Sequence, residues 1–190
     1  MTNIIFRVDK RKYKIGDIIY PQSEFEKALE GEKLRMENML NQKRAYGIPE
    51  RGKCLFLFHD LQGALRFYLK YGGNVYGVKI IPPIFHHGDM NKLDNILDLF
   101  KYVDGDDKDG IIEAAVNTYW KEGTHTFNPC YEILASSAEV IEILCDNSRH
   151  YQFKEEMRCY GSIEKNLLYK ELIQIVWAKI QHQSQASVSH

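Results

Sequence analysis

Residues 128–144 read NPCYEILASSAEVIEIL. Two runs rich in Ile, Leu and Val flank Ser136-Ser137-Ala138, so the local reading is a strand, a tight turn and a second strand. Glu132 stands where the first run begins, directly after the loop ending Asn-Pro-Cys. A carboxylate in that place is either a solvated edge residue or the single catalytic acid of a cleft. With this late strand pair the chain reads as one α+β domain over residues 1–180, followed by a polar tail, QHQSQASVSH, over 181–190.

Upstream, NIIFRV reads as a first strand, and KRKYKIGDIIYP as a loop followed by a second extended piece. SEFEKALEGEKLRMENMLNQKR reads as a helix over 23–44, with a capping box from Ser23 and Glu26. Phe25, Leu29, Met36, Met39 and Leu40 share one face at helical period, and Gly31 weakens the middle without ending it. KCLFLF is a buried strand, and DLQGALRFYLKY is a helix with Asp60 at its N-cap. Leu61, Ala64, Leu65 and Tyr68 form its apolar stripe, and Gly72-Gly73 ends it. NVYGVKII is the next strand, closed by Pro82-Pro83. MNKLDNILDLFKYV and GIIEAAVNTYWKEG are helices either side of an acidic turn, and ELIQIVWAKI reads as a terminal strand.

Bulk composition excludes several classes. At 190 residues the chain is long enough to bury a core without staples, and 44% hydrophobic with 27% charged residues is ordinary for a globular protein. A net charge of -1 supplies no overall field toward nucleic acid or membrane, although it leaves room for a local basic face. The cysteines Cys54, Cys130, Cys145 and Cys159 include no C-x-x-C pair, so their spacing matches neither a zinc ribbon nor a redox pair. MTNIIFRVDK turns charged after a short apolar run, and no segment reaches the roughly 18 continuous apolar residues of a membrane span. The expectation is a reduced, cytoplasmic protein with no membrane partner.

Conventional motifs fail on register. DGDDKDG at 104–110 would need a liganding residue at Lys108, Gly at Asp109 and Glu at Ala115 to make an EF-hand, so it reads as a solvated turn. Adjacent His86 and His87, placed in a loop after the prolines, lack the i, i+4 geometry of a helical zinc site. There is no P-loop, nucleophile elbow or G-x-G-x-x-G. What remains is a set of residues at strand ends: Arg7, Phe58 and Tyr68 around the Asp60 helix start, and Glu132. Each one alone is ordinary in a structural role.

Together, FRVDK, LFLFHDLQGALRFY, YW and NPCYEILASSAEVIEI resemble the ADP-ribosyltransferase superfamily. The resemblance is to its small prokaryotic members of the toxin and phage-defence type, including an ADP-ribosyltransferase-like family defined only as a domain of unknown function. It covers roughly residues 4 to 145. The superfamily order of Arg or His on the first core strand, an aromatic strand followed by a helix, and a strand-initial Glu is matched by Arg7, Phe58 to Tyr68, and Glu132. FHDLQGALRFY also looks like the strand end and helical Tyr of the poly-ADP-ribose polymerase branch.

The resemblance implies a split mixed β-sheet core with flanking helices, NAD as substrate, and no metal. It implies that Glu132 is the catalytic residue, that Arg7 holds ribose or diphosphate oxygens, and that Tyr68 or Phe58 stacks on nicotinamide. Arg51, just before the second core strand, is a further phosphate candidate. The chemistry suits these types: cleaving the nicotinamide–ribose bond passes through an oxocarbenium-like state that a nearby carboxylate stabilises.

Cys130 stands two before the glutamate, where arginine-modifying members carry Glu, and this weighs against protein arginine as acceptor. Leu57 replaces the first tyrosine of the polymerase branch. The implied activity is mono-ADP-ribosyl transfer to a macromolecule, with nucleic acid (RNA or DNA) favoured over protein. A neutralising antitoxin would be the partner in a toxin setting. The alternatives are an NAD glycohydrolase and a non-catalytic binding module on the same fold. DKRKYK after Arg7 is a candidate phosphate-contacting cluster, and Gly123 to Cys130 a candidate target-reading loop.

Overall fold

The computed structural model describes residues 4–22, 28–121, 123–163 and 169–186. Its strands are β1 (Ile5–Asp9), β2 (Ile18–Ile19), β3 (Leu55–Phe58), β4 (Asn74–Asp89) and β5 (Tyr131–Cys145). Every pairing is antiparallel. The two long strands run together from Val75 opposite Cys145 to Asp89 opposite Tyr131. The first five residues of β4 also pair with β1, residues 132–135 of β5 also pair with β3, and β2 pairs with Ala138 and Glu139 farther along β5. β1 and β3 meet at a single residue pair, Phe6 opposite Phe58, and then splay. The ladder thus returns on itself and leaves a split between β1 and β3. Helices cover this sheet, and the expected α+β class holds.

The helices are α1 (Gly31–Lys43), α2 (Leu61–Tyr71), α3 (Asn91–Tyr102), α4 (Lys108–Trp120), α5 (His150–Ile163) and α6 (Tyr169–Ala186). α2 follows its sequence signals closely. The Asp60 side chain accepts from Gly63 N at 2.7 Å, and Gly72, at φ 68°, ends the helix with its N–H on the Tyr68 carbonyl. Leu61, Ala64, Leu65 and Tyr68 pack in one cluster with Phe153, Met157, Val176 and Trp177 of α5 and α6. A second cluster lies on the other face of the sheet, and a third joins α1, α3 and α4. No helix among the described residues is long and apolar enough to cross a membrane.

Six expectations are corrected. β5 is one strand with no turn: Ser136-Ser137-Ala138 lacks the Gly, Asn or Asp that the positive-φ positions of a two-residue hairpin turn favour. Ser137 and Ala138 stay in register with Ile81 and Ile80, and the Ser136 hydroxyl donates to the Ile81 carbonyl at 2.9 Å. Pro82-Pro83 does not close β4. The pair falls at a register shift between Ile81 and Ile84, where the missing N–H groups break no ladder, and His86 and His87 lie in the strand beyond, not in a loop.

ELIQIVWAKI is helical. Leu172, Ile173, Val176, Trp177 and Ile180 are buried at helical period while Ile175 is exposed, so the β-branched content misleads. α6 continues to Ala186, into the segment read as a tail. Finally, α1 begins at Gly31, whose φ of 56° cannot be continued as α-helix, and the capping box at Ser23 and Glu26 lies outside the described residues.

α5 has no counterpart in the sequence reading, yet its Phe153 is wholly buried between Tyr68 and Trp177. Phe153→Ala is expected to cost about 3–5 kcal/mol in urea denaturation, the range for truncating a core Phe. A loss under about 1 kcal/mol would show that α5 does not seal this cluster.

Candidate functional site

The splay of β1 from β3 forms the floor of a cleft of about 1080 Å³, walled by α1, α2 and α3. That volume is at the upper end for cofactor-sized ligands. Glu132, Arg51, Phe58 and Arg7 all line it, although they are far apart in sequence. Each is placed by a local reason. Glu132 pairs with Phe58 on one side and Gly88 on the other, so it is locked in the middle of the sheet. Strand alternation turns Ile133 and Ala135 to the opposite core.

Glu132 is 2% exposed, which excludes the solvated-edge reading. Its Oε1 accepts from Arg51 Nη1 at 2.9 Å and from the Tyr119 hydroxyl at 2.6 Å. Among the described residues both hydrogen bonds to Glu132 go to this one oxygen. Arg51 also hydrogen-bonds the Tyr119 oxygen and pairs with Glu37 at 3.2 Å. Its guanidinium lies 5.1 Å from the Phe56 ring centroid and 5.0 Å from that of Tyr119. Burial works to lower the Arg51 pKa, but Glu132, Tyr119 and Glu37 together raise it on balance. Burial pushes the Tyr119 phenol well above its ordinary value, so it stays protonated and donates to Glu132. Two carboxylates, Glu37 and Glu132, thus meet one guanidinium at the cleft floor. Arg51 lines the cleft but is 3% exposed and engaged with three partners, an arrangement that suits holding Glu132 more than contacting a phosphate.

Arg7 bridges the split. Its Nη1 donates to the Phe56 carbonyl at 2.7 Å, taking the place of a strand partner, while Nε and Nη2 donate to Asp9 Oδ2. Three of the five guanidinium N–H groups are thereby used, and two remain for a ligand. Burial works to raise the Asp9 pKa, but Arg11 and Arg7 lower it on balance. Of the DKRKYK cluster, Lys10 lines the cleft, and Arg11 is committed to Asp9 and the Tyr20 carbonyl.

Tyr68 is not in the cleft. It belongs to the stripe Leu61, Ala64, Leu65, Tyr68, is fully buried, and donates its hydroxyl to the Asp146 carbonyl at 2.9 Å. The face of α2 toward the cleft is Gly63, Arg66, Phe67 and Lys70, the same i, i+3, i+4, i+7 spacing displaced by two residues. Phe67, its ring 5.3 Å from that of Phe58, and Tyr71 at the helix end are the aromatics this helix offers to the cleft. A Cβ on Gly63 would come within 3.3 Å of Cys130 Sγ, so the glycine lets the helix sit close to the floor. Burial pushes the Cys130 thiol up to about 11, which leaves it inert at neutral pH.

Glu37 and Tyr119 are the site residues that sequence reading missed. Both had a signal. Glu37 is a charge on the apolar face of Met36 and Leu40, and Tyr119 continues the Ile112, Val116 stripe into the quoted YW.

The segment before Glu132 is pinned. Asp89 Oδ1 accepts from the N–H groups of Asn91 and Cys130, and Oδ2 from the N–H and hydroxyl of Thr126. His125 packs edge-on against Tyr131, and Phe127 is fully exposed at the tip. Among the described residues no group of His, Cys, Asp and Glu is arranged to hold a metal ion. No protein-family model matches the chain, and the search of curated proteins finds no match.

Two predictions follow from the buried network and its neighbour. Arg51→Met strands Glu37 and Glu132 and is expected to cost about 3–5 kcal/mol by urea denaturation, against about 1.5–3 for Tyr119→Phe. An equal, small loss in both would mean that the guanidinium does not hold the network.

Asp89 has its pKa lowered because four hydrogen bonds outweigh the upward push of burial. The stability it contributes is therefore present above the ordinary value of 3.8 and is lost as pH falls through the lowered value. Asp89→Asn should be less stable than wild type at neutral pH, with the gap closing as pH drops below 3.8. A gap independent of pH would show that the charge is not what holds the loop.

Proposed function

We propose that the cleft binds NAD and that the protein is a mono-ADP-ribosyltransferase, passing ADP-ribose to a macromolecular acceptor. The observation that carries this reading is the convergence of Glu132, Phe58 and Arg7, from three different strands, on one cleft, with Glu132 held there by a buried guanidinium.

In this reaction the C1′–N bond of the nicotinamide riboside breaks and nicotinamide departs with the bonding electron pair. Positive charge spreads over C1′ and the ring oxygen, and Glu132 stabilises it electrostatically. The Arg51 and Tyr119 bonds on Oε1 fix the carboxylate in one orientation, so little reorganisation is needed as the charge develops. The free donors of Arg7 suit ribose or diphosphate oxygens. Phe58 and Phe67 offer apolar faces for nicotinamide. An acceptor nucleophile then forms the new bond to C1′ and releases its proton.

Purified protein incubated with adenine-labelled NAD and a cell lysate tests the reading. The expected result is nicotinamide release with label on macromolecules, and a loss of about 10²–10³-fold in Glu132→Gln, the size of one electrostatic stabiliser. Release with label only on free ADP-ribose would replace transfer by hydrolysis. NAD left intact by the wild type, or equal turnover in Glu132→Gln, would overturn the catalytic reading. In cells, growth arrest on expression that Glu132→Gln abolishes is the counterpart expected of a toxin.

A further inference from the structure

The cleft floor is apolar and carboxylate-rich, but its mouth has the opposite character. The cleft-facing side of α2 ends in Arg66, Phe67, Lys70 and Tyr71, and Lys10 and Lys33 stand on the other walls. All four cations are exposed, and none forms a salt bridge with another described residue. The one acidic residue at the mouth is Asp94 on α3, so the described lining residues carry an excess of three positive charges there. The chain as a whole is at -1, which makes this rim a local departure from the average.

The cations alternate with rings. Phe67 and Tyr71 lie 4.5 Å apart, the Lys70 amine sits 5.1 Å from the Tyr71 centroid, and Tyr71 is 48% exposed although it lines the cleft. Phosphates spaced along a strand, with bases that stack between them, match both features.

We propose that this rim is the track of a single-stranded nucleic acid: its phosphates lie on Lys10, Lys33, Arg66 and Lys70, and an unpaired base stacks on Tyr71. Duplex does not fit, because its bases are not free to stack. The proposal rests on the transferase reading only in making this strand the acceptor; the binding itself is independent of it.

The test is fluorescence anisotropy with a labelled single-stranded oligonucleotide of roughly 12 nucleotides, as DNA and as RNA, without NAD, on wild type and Glu132→Gln. Both proteins should bind, with log Kd against log salt sloping by about 3, the value for four phosphates neutralised on a single strand. Arg66→Glu with Lys70→Glu should weaken binding at least tenfold and flatten the slope. Tyr71→Ala should weaken it about 5- to 150-fold with the slope unchanged, the signature of lost stacking. These positions are exposed, and circular dichroism of each variant checks that it folds.

Failure of both strands to bind, or binding indifferent to all three substitutions, overturns the proposal. So does tighter binding of the matching duplex. If the charge reversals raise the KM for NAD and leave oligonucleotide affinity intact, the cations serve the NAD diphosphate and the proposal falls. If label transfers to protein and no strand binds, the acceptor is of another class. Strand binding as described in a protein that never cleaves NAD would sustain the track and refute the transferase.

Discussion

One buried guanidinium joins most of the molecule. Arg51 precedes β3, its partner Glu37 comes from α1, Tyr119 from α4 and Glu132 from β5. A charge so far from water is tolerable only with its partners in place, so the helices α1 and α4 and the sheet must assemble together or not at all. This couples a layer that packs through its own cluster of Met36, Leu40, Ile112 and Val116 to the strands that form the cleft floor. The network therefore belongs to folding and to the site at once. It holds Glu132 where the sheet alone would fix only its backbone.

The helix α2 shows how much of such a fold is legible in a chain. Its cap, its stop and its buried stripe are all local signals, and all three hold. What local signals do not settle is which of two faces meets a ligand. The stripe with Tyr68 is the more hydrophobic, and for that reason it goes to the core with Phe153. The cleft receives the mixed face with Phe67 and Lys70. An aromatic residue in a motif is thus a poor guide to the site when a neighbour one position away points elsewhere.

The misread elements share a cause. Ile and Val are common in ELIQIVWAKI, and a short apolar run of that kind is ambiguous until something packs against it. α5 decides the matter by offering Phe153 and Met157 to one side of α6. In β4 the prolines are breakers only if the strand must be regular there, and the register shift at Ile84 removes that requirement. Glu132, by contrast, is found in the sequence through its place at a strand start. Its true neighbours, Glu37 and Tyr119, are brought to it by packing across the whole chain, which no local pattern encodes.

The circuit of strand pairing has a consequence for how anything is recognised. β4 is paired on both sides over residues 75–78, β5 over residues 132–135 and at Ala138 and Glu139, and the extra strand β2 is two residues long. Where β1 and β3 part, the Phe56 carbonyl is already occupied by Arg7. At the cleft, among the described residues, a visiting peptide therefore finds no long run of unsatisfied backbone to extend the sheet, the route by which many domains capture extended segments. Selectivity must be written in side chains at the cleft. Partner choice can then drift by single substitutions on the helical rim, while the strands beneath keep the same geometry.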